Sequence, residues 1–174
     1  TNTIPRIIVH PTNPNTVYVA ASGHEWTHNE ERGLYKTTDG GESWEKILYI
    51  DEETGVIDLV MHPTDPNTLY AATWQHHRTV AAYMGGGPES GLHRTTDGGE
   101  TWEELTEGLP KGNMAKIGLA ISPQNPDVLY ASIELNRRQG GVFRSIDRGS
   151  SWEKRSDAVS GATGPHYYQE LYAS

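Results

Sequence analysis

Residues 37–44 read Thr-Thr-Asp-Gly-Gly-Glu-Ser-Trp, and this stretch decides the fold because it occurs three times. The second copy, residues 95–102, is Thr-Thr-Asp-Gly-Gly-Glu-Thr-Trp, and the third, residues 145–152, is Ser-Ile-Asp-Arg-Gly-Ser-Ser-Trp. We call these three segments the motif turns. Their fixed internal spacing indicates a repeat architecture in which each copy occupies the same place in one structural unit.

A second motif alternates with the first and ends in Tyr each time. Residues 10–18 read His-Pro-Thr-Asn-Pro-Asn-Thr-Val-Tyr, and the related segments are residues 62–70 and 122–130. We call their Pro- and Asn-rich parts the proline turns, because Pro presets φ for a turn and Asn or Asp bonds the local backbone. The repeat length is 52 residues from Pro11 to Pro63 and 60 residues from Pro63 to Pro123.

Short apolar runs surround both motifs, so each unit is predicted to contain four strands, two before and two after its variable middle connection. The units are predicted at residues 4–50, 56–107 and 115–156, with the start of a fourth at 165–174. Four short antiparallel strands in every unit are typical of the blades of a β-propeller. The sequence therefore predicts an all-β chain that is a fragment of a larger propeller, since three blades do not close a ring.

The motif turns fit the pattern Ser/Thr-x-Asp-x-Gly-x-x-Trp, which is identified as the Asp box or BNR repeat. With further matching text at 4–7, 29–33, 86–91 and 108–110, the chain resembles the bacterial sortilin/Vps10-like BNR family, whose members often carry the name glycosyl hydrolase. In such a turn Asp accepts backbone N–H bonds, Gly suits a positive φ and Trp packs against the blade. The residues with this structural role are Asp39, Gly41, Trp44, Asp97, Gly99, Trp102, Asp147, Gly149 and Trp152.

The resemblance implies that the motif turns and proline turns share one face, opposite the ligand site. The remaining connections vary in length: the interval from Tyr to the following repeat Gly is 15, 21 and 11 residues. Functional loops vary on a rigid scaffold, so we expect the ligand on this second face, which we call the loop face. The candidate ligand-binding residues, for which a plain solvated loop is the alternative, are Trp26, Arg32, Trp74, His76, His77 and Arg78.

Acidic residues on the loop face are candidates for catalysis. A glycosidase needs two carboxylates on either side of the scissile bond. The segment Asp51-Glu52-Glu53 offers acids, and the catalytic candidates are Asp51, Glu52, Asp58 and Glu30, but no spacing singles out a pair. Arg6 stands where a sialidase places one of three arginines, although the sialidase order Arg-Ile-Pro is absent.

The first variable loop contains His24-Glu25-x-x-His28, which matches the HExxH motif formally. That motif binds zinc only when a helix puts both His on one face, and this segment lies between two predicted strands. We interpret the match as a coincidence and expect neither a metal nor a cofactor.

Composition excludes several classes of protein. The net charge of −9 disfavours nucleic acid as a partner, and no apolar run is long enough for a transmembrane helix. No cysteine is present, which excludes a thiolate metal site and a cysteine nucleophile. No signal-peptide pattern begins the chain, but the resemblance implies a secreted, periplasmic or cell-surface bacterial protein.

Three functions remain open at this point. The first is a non-catalytic propeller segment that binds protein, peptide or glycan, completed by the remaining blades or by partner subunits. The second is a secreted Asp-box glycoside hydrolase, similar to a xyloglucanase or a sialidase, with its acids on the loop face. The third is a structural subunit of a larger complex.

Overall fold

The computed structural model describes residues 1–135, 140–158 and 171–173. These residues form fourteen strands and contain no helix, so none that could cross a membrane is found among them. In chain order the strands are β1 Arg6–Val9, β2 Val17–Ala21, β3 Gly33–Thr37, β4 Glu45–Leu48, β5 Thr54–His62, β6 Asp65–Gln75, β7 His77–Arg78, β8 Tyr83–Met84, β9 Leu92–Thr95, β10 Glu103–Leu105, β11 Ile117–Ile121, β12 Leu129–Glu134, β13 Gly140–Ser145 and β14 Glu153–Ser156.

Twelve of these strands form three four-stranded antiparallel sheets. The orders are β1-β2-β3-β4, β5-β6-β9-β10 and β11-β12-β13-β14, so neighbours in the chain are neighbours in each sheet apart from the β7–β8 hairpin. The predicted all-β architecture of repeated four-stranded sheets is confirmed. The small β7–β8 hairpin was not predicted, and the predicted fourth repeat at 165–174 lies outside the described residues except for 171–173, which form no strand.

The middle sheet packs against a neighbour on each of its faces. Side chains alternate along β6, so Leu69 and Ala71 join the core shared with the first sheet. Tyr70 and Ala72 point the other way and join the core shared with the third sheet. A strand segment that is covered on both faces needs apolar residues at nearly every position, which explains why residues 69–72 of β6 read Leu-Tyr-Ala-Ala.

The same pair of polar contacts joins each sheet to the next. Tyr18 Oη and Lys36 Nζ both donate to the carbonyl of Gly98 in the second sheet, at 3.1 and 2.8 Å. One repeat later, Tyr70 Oη and Arg94 Nη1 both donate to the carbonyl of Arg148, at 3.1 and 2.6 Å. The first and second sheets therefore each bind the motif turn of the following sheet through one tyrosine and one basic side chain.

The proline turns and motif turns lie together at one end of the sheets. The bonds Gly40 N–Asn15 O, Gly98 N–Asn67 O and Arg148 N–Asp127 O occupy equivalent positions and measure 2.9, 2.8 and 3.0 Å. We call this end the turn face. Because strands β2, β6 and β12 then run away from it, their far ends carry the variable connections at the opposite end.

Each motif turn is closed by its own Asp. In the first copy, Asp39 Oδ1 accepts from Thr37 Oγ1 at 2.6 Å and from Ser43 N at 3.0 Å, and its Oδ2 accepts from Ser43 Oγ. The hydroxyl bond from Ser43 and the other turn donors hold the pKa of Asp39 well below its usual range. The same contacts recur at Asp97 and Asp147.

The third motif turn replaces a glycine by an arginine. Arg148 has φ of 58°, in the left-handed region that Gly40 and Gly98 occupy at 79° and 74°. Its side chain pairs with Asp127 of the adjacent proline turn at 2.5 Å. This ion pair accompanies a backbone conformation that is uncommon for residues other than glycine.

The burial of each motif tryptophan depends on whether a preceding sheet covers it. Trp152 is 6% exposed beneath the second sheet, and Trp102 packs on the core shared with the first sheet. Trp44 has no preceding sheet among the described residues and is 45% exposed. Trp44 therefore differs from the other two motif tryptophans within the described residues, and its packing against a blade interior stays a prediction.

Candidate functional site

The variable connections meet at the end of the sheets opposite the turn face, which is the loop face defined above. Asn29 N of the β2–β3 loop donates to the carbonyl of Glu52 in the β4–β5 turn at 3.1 Å. Arg78 N in β7 donates to the carbonyl of Glu25 at 3.0 Å. Loops from the first and second sheets thus form one continuous surface.

Arg32 lies beneath this surface and joins three of its segments. The side chain is fully buried, and Nη1 donates to the carbonyls of Glu53 and His76 while Nη2 donates to the carbonyl of His24 at 2.6 Å. Burial lowers the pKa of the guanidinium, and the nearby acids Asp51 and Glu53 oppose that shift. Both terminal nitrogens of Arg32 are engaged by loop carbonyls, so the side chain supports the loops, and its role in ligand contact stays a prediction.

Trp74 and His76 also lie beneath the loop face and support its loops. Their rings stack at 3.9 Å between centroids, and Trp74 Nε1 donates to the carbonyl of Gly85 at 2.9 Å. Trp74 is 5% exposed and His76 is 2% exposed. Burial and the charge of Arg32 lower the pKa of His76 to about 4, so the ring is neutral near pH 7. Both side chains are buried where they hold the long loop in place, and their ligand contacts stay a prediction.

Trp26 and Arg78, by contrast, form an exposed pair on the loop face. The Arg78 guanidinium lies 4.8 Å from the centre of the Trp26 ring and 5.8 Å from that of Tyr83. Glu25 Oε1 lies 3.6 Å from Arg78 Nη1. Trp26 remains 53% exposed, so the arginine orients the indole without covering it.

Three further side chains from different connections converge beside this pair. His28 Nδ1 lies 3.1 Å from Glu53 Oε1, and the His28 ring stacks on the ring of His77 at 4.4 Å between centroids. One ligating atom from each of the three residues lies within 4.8 Å of the other two. We call His28, Glu53 and His77 the His-Glu-His cluster. Gln75 Nε2 donates to Glu53 Oε2 at 3.3 Å, which orients the carboxylate.

The structure places the catalytic candidates in different surroundings. Asp58 lies in β5, where Arg6 Nε donates to Oδ1 at 2.9 Å and the backbone N–H of Leu119 donates to Oδ2 at 2.8 Å. It is buried and joins all three sheets, which gives it a structural role, and its catalytic role stays a prediction. Asp51 Oδ1 accepts the N–H of Glu53 at 2.8 Å and closes a turn.

Glu30 and Glu52 remain as exposed acids on the loop face. The carbonyl of Glu30 accepts a bond from Lys46 Nζ, and the carbonyl of Glu52 accepts the N–H of Asn29. Within the described part of the chain, neither carboxylate makes a hydrogen bond or an ion pair that fixes it against a second acid. Their catalytic role therefore stays a prediction.

The HExxH segment has no helical geometry. Residues 24–28 lie in a loop, where His24 Nδ1 lies 2.8 Å from Asn2 Nδ2 and Glu25 faces Arg78. Only His28 of the motif joins the His-Glu-His cluster. Its partners Glu53 and His77 come from other connections, so their convergence could not be read from motif spacing.

The sequence analysis also missed two charged residues below the surface, the half-buried Lys116 and the buried Glu134. Lys116 Nζ lies 4.7 Å from the centre of the Trp74 ring, and burial lowers its pKa while Glu134 and Glu25 oppose that shift. Glu134 is 6% exposed at the end of β12. Both sit in segments that read as ordinary strand ends, so periodicity gave no signal for them.

Comparison with known proteins identifies related sequences and folds. The family model Sortilin-Vps10, described as sortilin, neurotensin receptor 3, matches residues 1–108. The xyloglucanase Xgh74A of Acetivibrio thermocellus is 28% identical over 162 residues, which cover 87% of this chain and 17% of that protein. A xyloglucanase of a Paenibacillus species is 30% identical over 134 residues, or 70% of this chain and 12% of that protein.

Solved structures agree on the fold. An ancestral GH74 enzyme superposes with a TM-score of 0.66 at 18% identity, covering 88% of this chain and 18% of the enzyme. This likeness confirms the β-propeller fold. The chain spans less than a fifth of each of these three relatives.

Proposed function

This chain belongs to the Sortilin-Vps10 family, and we propose that it is a segment of a larger β-propeller whose loop face binds a neutral glycan of the xyloglucan type. The exposed Trp26 ring, held by Arg78, is the observation that carries the proposal. A sugar ring presents a face of C–H groups that packs on an indole, and its hydroxyls need nearby charged or amide groups. Arg78 and Glu25 supply such groups beside Trp26.

Charge favours a neutral ligand over an anionic one. The chain carries a net charge of −9, and the basic groups of the loop face are already engaged: Arg32 by carbonyls and Arg78 by Glu25. Arg6, the candidate for a sialidase-like carboxylate site, is paired with Asp58. A sialic acid or other anionic glycan would meet an unfavourable field here. The similarity to two xyloglucanases points to the same neutral class.

Hydrolysis is the second candidate, because the relatives matched over most of this chain are named xyloglucanases. Glu30 and Glu52 are exposed on the loop face and are available as one member of a carboxylate pair. The second acid would come from outside the described residues. A glycan as ligand also goes with a secreted or cell-surface location.

The partner that this proposal requires is the rest of the propeller. The uncovered face of the first sheet carries apolar residues whose repeat equivalents in the second sheet are covered: Ile7, Val17, Val19 and Trp44 correspond to Leu59, Leu69, Ala71 and Trp102. Because the covered set packs against a preceding sheet, another blade is the occupant that fits the exposed set. A structural subunit would use the same faces but would bind no glycan.

The test is a binding and turnover screen on the purified protein. Xyloglucan oligosaccharides, cello-oligosaccharides, sialyllactose and a random peptide library are compared by calorimetry, and reducing-end release is measured in parallel. Binding of the xyloglucan series without turnover supports the first proposal, and turnover lost in Glu30→Gln or Glu52→Gln supports the second. Selective binding of sialyllactose or of peptides alone would overturn both.

A further inference from the structure

We propose that the His-Glu-His cluster, His28, Glu53 and His77, is a binding site for a divalent transition metal, with Zn²⁺ as the matching ion. Two imidazoles and one carboxylate form a donor set that zinc accepts, with ligand distances of roughly 2.0–2.2 Å. Donors around one tetrahedral ion stand about 3.4 Å apart on that geometry. The three donors here lie within 4.8 Å of one another, and His28 and Glu53 are already at 3.1 Å.

The backbone that carries the donors is fixed before any ion arrives. Arg32 donates to the carbonyl of Glu53 itself and to the carbonyl of His76, the neighbour of His77. The N–H of His76 also donates to the carbonyl of Glu53 at 3.0 Å. One buried side chain therefore holds two of the three ligand segments together, which lowers the entropy lost on binding.

The side chains around the donors fit the same purpose. Gln75 orients the second oxygen of Glu53, as an outer-shell hydrogen bond does in metal sites. His77 Nδ1 is buried and makes no hydrogen bond within the described part of the chain. The His28 side chain is 43% exposed, so an ion can reach its ring from solvent. Three protein ligands leave a fourth position open to solvent.

Charge near the site limits its affinity without excluding the ion. The Arg32 guanidinium repels a divalent cation, but Asp51 and Glu53 interact with it favourably and offset its charge. A bound ion would also replace the contact between His28 and Glu53. Coordination of the ion requires the neutral form of the imidazole.

The test is a calorimetric titration of the metal-free protein with ZnCl₂ at pH 7.5, repeated on three variants. We expect one Zn²⁺ per chain, with binding at least about tenfold weaker in Glu53→Gln and His77→Ala. His24→Asn is the matched control, because it removes the other histidine of the same HExxH segment and leaves the cluster intact. That variant is expected to bind like the wild type.

Co²⁺ gives a second readout that a folding defect does not imitate. The wild type is expected to show visible d–d absorption that is displaced by Zn²⁺, and Glu53→Gln, confirmed as folded by circular dichroism, is expected to lose it. Absence of stoichiometric Zn²⁺ binding by the wild type overturns the proposal. Equal binding by folded Glu53→Gln, or a loss in His24→Asn as large as in His77→Ala, overturns it as well.

Discussion

The carboxylate of Asp58 is bound by Arg6, a residue 52 positions earlier in the chain, through two side-chain nitrogens that both lie 2.9 Å from Oδ1. The other oxygen of Asp58 accepts the N–H of Leu119 at 2.8 Å. These three residues stand in β1, β5 and β11, the first strands of the three sheets. One acidic side chain therefore joins all three repeats where their first strands meet.

Replacement of Asp58 by Ala is expected to lower the free energy of unfolding by about 3 kcal/mol, since it leaves a buried N–H and a partly buried guanidinium without their partner. Asp58→Asn keeps an acceptor for Leu119 and is expected to cost less. Urea unfolding followed by tryptophan fluorescence measures both values. If Asp58→Ala is as stable as the wild type, the carboxylate does not hold the sheets together.

The tyrosine contacts between sheets predict a matched pair of effects. Tyr70→Phe removes the bond from Tyr70 Oη to the carbonyl of Arg148. That carbonyl still accepts a bond from Arg94, so the free energy of unfolding is expected to fall by only about 0.5–1 kcal/mol. Tyr130 holds the equivalent place in the third sheet. If a further blade covers that sheet, Tyr130→Phe in the complete protein should have a cost of similar size. A variant with unchanged stability would speak against a following blade at this face.

Buried histidines predict a specific dependence of stability on pH. Burial lowers the pKa of His93 to about 4, as it does that of His76. An unfolded imidazole titrates near pH 6.5, so between about pH 6.5 and 4 the unfolded state binds more protons and stability falls as the pH falls. Each such histidine contributes a slope of up to about 1.4 kcal/mol per pH unit.

The variant His93→Gln isolates one of these contributions. Its unfolding free energy, measured by urea titration from pH 7 to pH 4, is expected to fall less steeply than that of the wild type. Ile146→Ala, which removes no titratable group, is the control and should keep the wild-type slope. Identical slopes for His93→Gln and the wild type would mean that His93 protonates equally in both states.

Two substitutions on the loop face distinguish a buried residue that supports the loops from a partly exposed residue at their surface. Trp74 is buried and stacked on His76, so Trp74→Ala is expected to cost about 3 kcal/mol of stability. Arg78 is partly exposed in the pair with Glu25, so Arg78→Ala is expected to cost less than about 1 kcal/mol. Thermal unfolding of both proteins checks this order. The reverse order would show that the surface pair, and not the buried stack, holds the loop.

The sequence was sufficient for the fold because its signals are local. Pro11, Asp39 and their repeat equivalents act within a few residues through turn hydrogen bonds, so their spacing fixes where strands begin and end. The separation of turn face and loop face was implied by the resemblance to Asp-box propellers, and the variable loop lengths agreed with it. The repeat did not reveal which sheet faces are covered. Trp44 is exposed because no preceding sheet covers it among the described residues.

The candidate site was predicted only in part, since it depends on long-range convergence. Arg32 looked like a ligand-binding group in an exposed loop, but carbonyls 21 and 44 residues away surround it. Asp58 was a candidate catalytic acid in the sequence, but in the structure Arg6 of β1 and the N–H of Leu119 in β11 both bind its carboxylate. No local pattern encodes such contacts, whereas Trp26 and Arg78 lie at the surface as the sequence analysis expected.

The most direct test of the account is the affinity of the purified protein for a xyloglucan oligosaccharide, measured by calorimetry for the wild type and for Trp26→Ala. We predict binding by the wild type, a loss of about tenfold or more in Trp26→Ala with unchanged thermal unfolding, and partial recovery in Trp26→Phe. Ile146→Ala, which changes an exposed residue of the turn face, should bind like the wild type. Equal affinity of Trp26→Ala and the wild type would contradict the proposal that the loop face binds the glycan.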